Sequence, residues 1–211
     1  MLSLVTIIFS SFVIALSGAM MPGPLLTAVI SETPRRGFVA GPVMIIGHGI
    51  LELALVTALL LGLAPFLEKA EVFAAIAITG GVILIWMALG MFRSIPGLSL
   101  SWEVDKENSG HLIISGILMS IANPYWMIWW ATIGLGYILH CKQFGIWGML
   151  MFFIGHILGD LIWYTVVSAA ISRGRKFLSD KIYRGMIGIC AVFLIFFACY
   201  FIYSGLDKII S

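Results

Sequence analysis

Ile46-Gly47-His48-Gly49-Ile50-Leu51-Glu52-Leu53 and Ile154-Gly155-His156-Ile157-Leu158-Gly159-Asp160-Leu161 carry one pattern twice: a histidine followed four residues later by an acid, inside an apolar run. His48 and His156 are 108 residues apart, as are Glu52 and Asp160, and Gly37 and Gly145 ahead of them keep the same offset. That offset is close to half of the 211-residue chain, so the sequence reads as an internal duplication. Chance likeness between apolar helices is the competing explanation. The match of polar as well as apolar positions speaks against it.

Each copy sits in one of six apolar runs, at about 4–30, 38–63, 72–92, 112–139, 145–171 and 186–206. Runs of roughly 20 apolar residues mark transmembrane helices. Residues 1–111 hold three runs and residues 112–211 hold three. An odd number of spans per half forces the halves into opposite orientations, the inverted repeat common in secondary transporters. The expected fold is therefore an all-α polytopic membrane protein, with six transmembrane helices in an inverted 3+3 repeat.

Composition agrees. The chain is 61% apolar and only 10% charged, against about 25% charged in soluble domains. No soluble fold of this length hides so much apolar surface, and lipid is the expected solvent. A net charge of +2, with no basic run interleaved with aromatics, argues against a nucleic-acid partner. Cys141, Cys190 and Cys199 form no CxxC pair, which leaves a thiol relay or zinc knuckle unsupported. No phosphate-binding loop occurs, so direct ATP use is not expected. The first run exceeds a secretory signal core and reads as a retained span.

Alternate loops carry unequal charge. Arg35, Arg36, Arg93, Lys106, Arg173, Arg175, Lys176, Lys181 and Arg184 fall in one set, and only Lys69, Lys142 and Lys208 in the other. The positive-inside rule places the first set in the cytoplasm and both termini outside.

Two runs are interrupted. The first contains Pro22-Gly23-Pro24 and the fourth Asn123-Pro124 near its middle. Proline lacks an amide hydrogen and leaves carbonyls one turn earlier unpaired, so both helices are expected to be discontinuous. Within lipid such breaks persist only where protein or a polar cavity satisfies the freed groups. The half-helix after each break aims its amides at the gap, where they favour an anion such as a carboxylate, and Asn123 adds a donor and an acceptor. A plain proline kink explains either break alone. Breaks at matching places in both halves favour a binding site.

Of ten acidic residues, Glu52 and Asp160 alone fall well inside runs, and no Lys or Arg does; Glu68, Glu103, Asp105 and Glu107 are among those placed in loops. A carboxylate near the bilayer centre costs at least about 2.5 kcal/mol on insertion scales. It must face a cavity, find a partner or hold a proton. His48 shares a helix face with Glu52, and His156 with Asp160. These four residues are candidates for proton coupling. The plain alternative is a hydrogen-bonded lock between helices, worth about 1–2 kcal/mol per contact. A further alternative is a divalent-metal site, for metal export or intramembrane metalloenzyme chemistry, because two imidazoles and two carboxylates form a nitrogen–oxygen ligand set. The spacing matches no HExxH signature, and Ser11, Ser17, Ser115, Ser120 and Ser168 show no nucleophile elbow. No catalytic residue, resident metal or cofactor is expected.

Tyr125-Trp126-Met127-Ile128-Trp129-Trp130 follows the second break. Such residues anchor at the membrane interface or pack helices, but this cluster begins near mid-span, where it can wall a cavity. Gly41, Gly47, Gly49, Gly155 and Gly159 are expected to permit close helix contacts.

The Pro22-Gly23-Pro24 and Asn123-Pro124 breaks, with the length and the two three-span halves, resemble the LysE/RhtB type of amino-acid exporters over nearly the whole chain. Many members carry Lys after the Asn-Pro pair, where this chain has Tyr125. The resemblance implies a non-enzymatic secondary exporter of amino acids or related small metabolites in the plasma membrane. It implies drive from the membrane potential or a proton gradient, and alternating access. Pro22, Gly23, Pro24, Asn123, Pro124, Tyr125 and Trp126 would face the solute. A homodimer is compatible with a bundle of this size.

Overall fold

A computed structural model describes residues 2–67, 69–99 and 109–210. Glu68, Glu103, Asp105, Lys106 and Glu107, placed in loops by the sequence, lie outside the described residues. Among the described residues every regular element is helical.

The first apolar run divides into α1 (Leu2–Ala19) and α2 (Pro24–Arg36). Gly23 is the extended N-cap of α2 and Pro24 occupies its first turn, where the missing amide costs nothing. α2 ends at Gly37, whose φ of 72° lies in the left-handed region open to glycine. α3 (Ala40–Ala58) follows, then a wide π turn at Leu59–Leu63 and the short α4 (Ala64–Leu67). α5 (Ala70–Ser94) completes the first half. In the second half α6 (Ser109–Ile121) stops at Asn123, and α7 (Pro124–Trp129) restarts with proline in its first turn. α7 passes through a π turn at Trp130–Gly134 into α8 (Leu135–Lys142). α9 (Gly145–Arg173) and α10 (Asp180–Ile210) end the chain.

Four helical stretches are long and apolar enough to cross a bilayer: Pro24–Leu63, Ala70–Gly97, Gly145–Arg173 and Asp180–Ile209. His111–Ile121 and Pro124–Lys142, bent by 66° at the break, count as a fifth if the pair is one span. Leu4–Ala19 is a shorter apolar helix. Large apolar side chains point outward, with Phe9 68% and Trp86 75% exposed. The chain is a helical membrane protein whose solvent on these faces is lipid.

Three pairings build the bundle: α1 along α9, α3 along α6, and α5 along α10. Where α3 meets α6, Gly47 lies against the Ile113 carbonyl and Gly116 against the Met44 carbonyl. Where α1 meets α9, Gly155 lies against the Ile8 carbonyl. Small residues at these points let backbones touch, which is how helices gain contact in lipid. The cation-bearing ends of α2, α5, α9 and α10 meet around Ile30, Ile95, Ile171 and Tyr183. There Arg184 Nε–H donates to the Leu98 carbonyl at 2.7 Å.

Candidate functional site

The two breaks face each other. A Cβ added at Gly23 would lie 3.2 Å from Asn123 Nδ2. Asn123 Oδ1 accepts the Tyr125 amide at 3.1 Å and so caps α7. That amide is satisfied within the protein.

Beside the breaks, α3 brings His48 and Glu52 against His156 and Asp160 of α9, and all four are buried. The two copies of the repeated pattern thus form one cluster. His48 Nε2 lies 3.0 Å from Glu52 Oε1 and 3.7 Å from Asp160 Oδ2. His156 Nε2 lies 3.2 Å from Glu52 Oε2 and 3.4 Å from Asp160 Oδ2. Each histidine therefore touches the acid of the other half as well as its own.

The proton positions in one half follow from the hydrogen bonds. The Ser120 hydroxyl donates to the Gly116 carbonyl at 2.7 Å. Its oxygen therefore accepts from His48 Nδ1–H, also at 2.7 Å. Trp126 and Trp130 donate their indole N–H groups to Glu52 Oε1 at 3.0 and 2.8 Å. Indoles only donate, so Oε1 is an acceptor and any proton on this carboxyl sits on Oε2. His48, Ser120, Trp126, Trp130 and Glu52 Oε1 form one network, which His156 Nε2 joins at 3.2 Å from Oε1.

The other half is less fully satisfied. Glu52 Oε2 and Asp160 Oδ2 are buried and meet only histidine Nε2 atoms, as ion-pair contacts outside hydrogen-bond geometry, and His156 Nδ1 is buried with no hydrogen-bond partner among the described residues. The His156 ring packs beside Trp129 and Trp130, tilted against both, with ring centroids 5.1 and 4.9 Å away. Buried polar atoms without partners are rare and mark places where something binds.

A cavity of about 40 Å³ adjoins the cluster, lined also by Gly18, Gly23, Asn123, Tyr125 and Tyr164. At about 10–15 Å³ per water it has room for about three or four water molecules. The sequence-proposed Gly23, Asn123, Tyr125 and Trp126 line it together with the four ionisable residues. Pro22, Pro24 and Pro124 do not. Pro24 and Pro124 start α2 and α7, and the Pro124 ring packs where Gly80 leaves room for it. Trp130 belongs to the aromatic run expected to wall a cavity and Ser120 to the single hydroxyls, but the sequence assigns neither a role at the ionisable cluster. Trp130 follows Trp126 by four residues, the same spacing that joins each histidine to its acid, and that spacing was the available signal.

Trp130→Phe removes one donor to a buried carboxylate oxygen and keeps most of the ring. Hydrogen bonds to charged groups are worth about 1.5–3 kcal/mol. The melting temperature of the purified protein in detergent should fall by that equivalent. It should stay unchanged in Trp147→Phe, whose ring is exposed.

Comparison with known proteins follows the same line. The LysE type translocator family matches residues 16–205. "Putative amino acid efflux protein YcgF" of Bacillus subtilis (strain 168) is 25% identical over 208 residues, covering 97% of this chain and 99% of that protein. The "Chemotactic transduction protein ChpE" of Pseudomonas aeruginosa is 28% identical over 175 residues, covering 80% of this chain and 85% of its own. An "Uncharacterized membrane protein" of Haemophilus influenzae is 23% identical over 208 residues, 94% of this chain and 97% of that one. No solved structure matches the chain. With the family pattern covering nearly the whole length, two broken helices and a buried site between them, this chain belongs to the LysE type translocator family.

Proposed function

We propose that the chain is a secondary-active exporter of amino acids or related small metabolites, working by alternating access and exchanging protons against its solute. One observation carries this reading: two acids and two histidines, one pair from each half, meet beside the facing helix breaks, with His156 Nδ1 unpaired and Glu52 Oε2 and Asp160 Oδ2 held only by histidine contacts. A hydrogen-bonded network holds the His48–Glu52 half in place. The His156–Asp160 half, with Glu52 Oε2 held only by His156, is where a proton is taken up and released. The small cavity corresponds to an occluded state, and the solute enters when α1–α2 and α6–α7 part at the breaks.

The fold we propose has six spans as an inverted repeat, residues 1–111 and 112–211, with the first and fourth helices discontinuous. Helix pairing supports it. If α1–α2, α3 and α5 correspond to α6–α8, α9 and α10, the pairings α1–α9 and α3–α6 exchange, and α5–α10 maps onto itself. Gly37 supports division of the 40-residue Pro24–Leu63 stretch, which at 1.5 Å per residue would be about twice the bilayer core. The gathered cationic ends support a plasma-membrane orientation with both termini outside.

A second reading has its own observation. His48, Glu52 and Asp160 present ligand atoms all within 4.8 Å of one another, a set suited to zinc or manganese as cargo. Proteoliposomes under a proton gradient, screened with amino acids and with both metals, separate the two. Amino-acid flux that varies with pH supports the exporter. Metal flux with no response to any amino acid overturns it and recasts the cluster as ligands. In the same assay Asn123→Ala, which uncaps α7 at the cavity wall, should lower amino-acid flux at least about tenfold, and Lys106→Ala less than twofold.

A further inference from the structure

A larger crevice of about 530 Å³ opens between α2, α3, α5 and α6. Its position follows from chain direction. α2 runs from the break at Gly23 to the cationic end at Arg36, and α6 runs toward the second break. Thr27, Ser31 and Glu32 of α2 and Ser115 and Met119 of α6 line the crevice. Gly23, the N-cap of α2, and Asn123, just past the end of α6, continue the i,i+4 lines of Thr27–Ser31 and Ser115–Met119 and line the central cavity. One pair of helix faces thus leads from the cationic end to the breaks.

Both charge signs are present in the crevice: Glu32, which also lies 3.6 Å from Arg36, and Arg93 at the end of α5. Met44, Met87, Met91 and Met119 supply much of its apolar wall. Methionine is unbranched and polarizable and adapts to apolar groups of different shape. A carboxylate suits Arg93, an ammonium suits Glu32, and an apolar side chain suits the methionines. Trp86 and Leu89 open one side toward lipid. An acid in the same lining as Arg93 disfavours a lipid phosphate there.

We propose that this crevice is the loading site of the exporter, reached from the cationic side, and that it takes zwitterionic amino acids with large apolar side chains. The assignment rests on the exporter reading given above. Its volume is that of an ordinary small-molecule site.

The test uses Ser115→Cys with Cys199→Ala, since Cys141 and Cys190 are buried, in the full chain reconstituted into phospholipid vesicles. A membrane-impermeant maleimide should label Cys at this position from the Arg93 side only. L-methionine should slow labelling at least fivefold, and glycine less than twofold. Glu32→Gln and Arg93→Gln should remove that protection and raise the KM for methionine at least tenfold, with Vmax within twofold. Methionine transport without protection overturns the loading site and leaves the exporter standing. Labelling that responds only to added phospholipid makes this a lipid crevice and also overturns it. No amino-acid flux and no protection overturns both readings.

Discussion

Glu52→Gln should slow net solute flux in proteoliposomes at least about 100-fold and erase its dependence on pH, while solute counterflow continues. Glutamine keeps the shape of the side chain. Its carbonyl oxygen can still accept from Trp126 and Trp130, which now donate to Glu52 Oε1. What it loses is the ability to bind and release a proton. Its amide would also turn two donors toward His156 Nε2, now 3.2 Å from Oε2. Counterflow exchanges solute for solute with no net proton movement. It therefore separates loss of coupling from loss of solute binding. Asp160→Asn should act in the same direction, because Asp160 Oδ2 belongs to the same less fully satisfied half of the cluster. Normal flux with an unchanged pH profile in both variants would remove protons from this site. Loss of counterflow along with net flux would make Glu52 a solute ligand.

Much of this site was legible in the sequence because its signals are local. His48 with Glu52, and His156 with Asp160, are each visible as a four-residue spacing in an apolar run, and Pro22-Gly23-Pro24 and Asn123-Pro124 announce breaks through proline chemistry alone. What local signals do not contain is which helix packs on which. The crossing of the two copies, each histidine touching the other half's acid, depends on α3 and α9 meeting, which no spacing encodes. The network around Glu52 was hidden for the same reason. Trp126 read as an aromatic near a break, and its role follows from a partner 74 residues away. The duplicated sequence is also nearly symmetric where the site is not. Ser120 and the two indoles complete one half only, and the difference comes from α6 and α7, which lie beside His48 and Glu52.

Glycine shows the same division between local and non-local information, and it yields the sharpest test of the fold. Gly47 and Gly49 sit two residues apart on α3 and looked alike in the sequence. A Cβ at Gly47 would run into the Ile113 carbonyl, whose position is fixed by the α6 backbone. A Cβ at Gly49 would meet only the tip of the Ile157 side chain, at 3.3 Å, and that tip can rotate away. Gly47→Val should therefore force α3 and α6 apart, and in lipid no hydrophobic drive pulls them back together. Overpacking against backbone costs about 3 kcal/mol. Purified Gly47→Val should melt at least about 6 °C lower in detergent than the parent, whereas Gly49→Val should stay within about 2 °C. The two variants add the same side chain to the same helix, so propensity cancels and only the neighbour differs. Equal melting temperatures would mean that α3 and α6 do not meet at Gly47 and Ile113. His48 could then not reach Ser120, and the His48–Glu52 half of the site would lose its anchor.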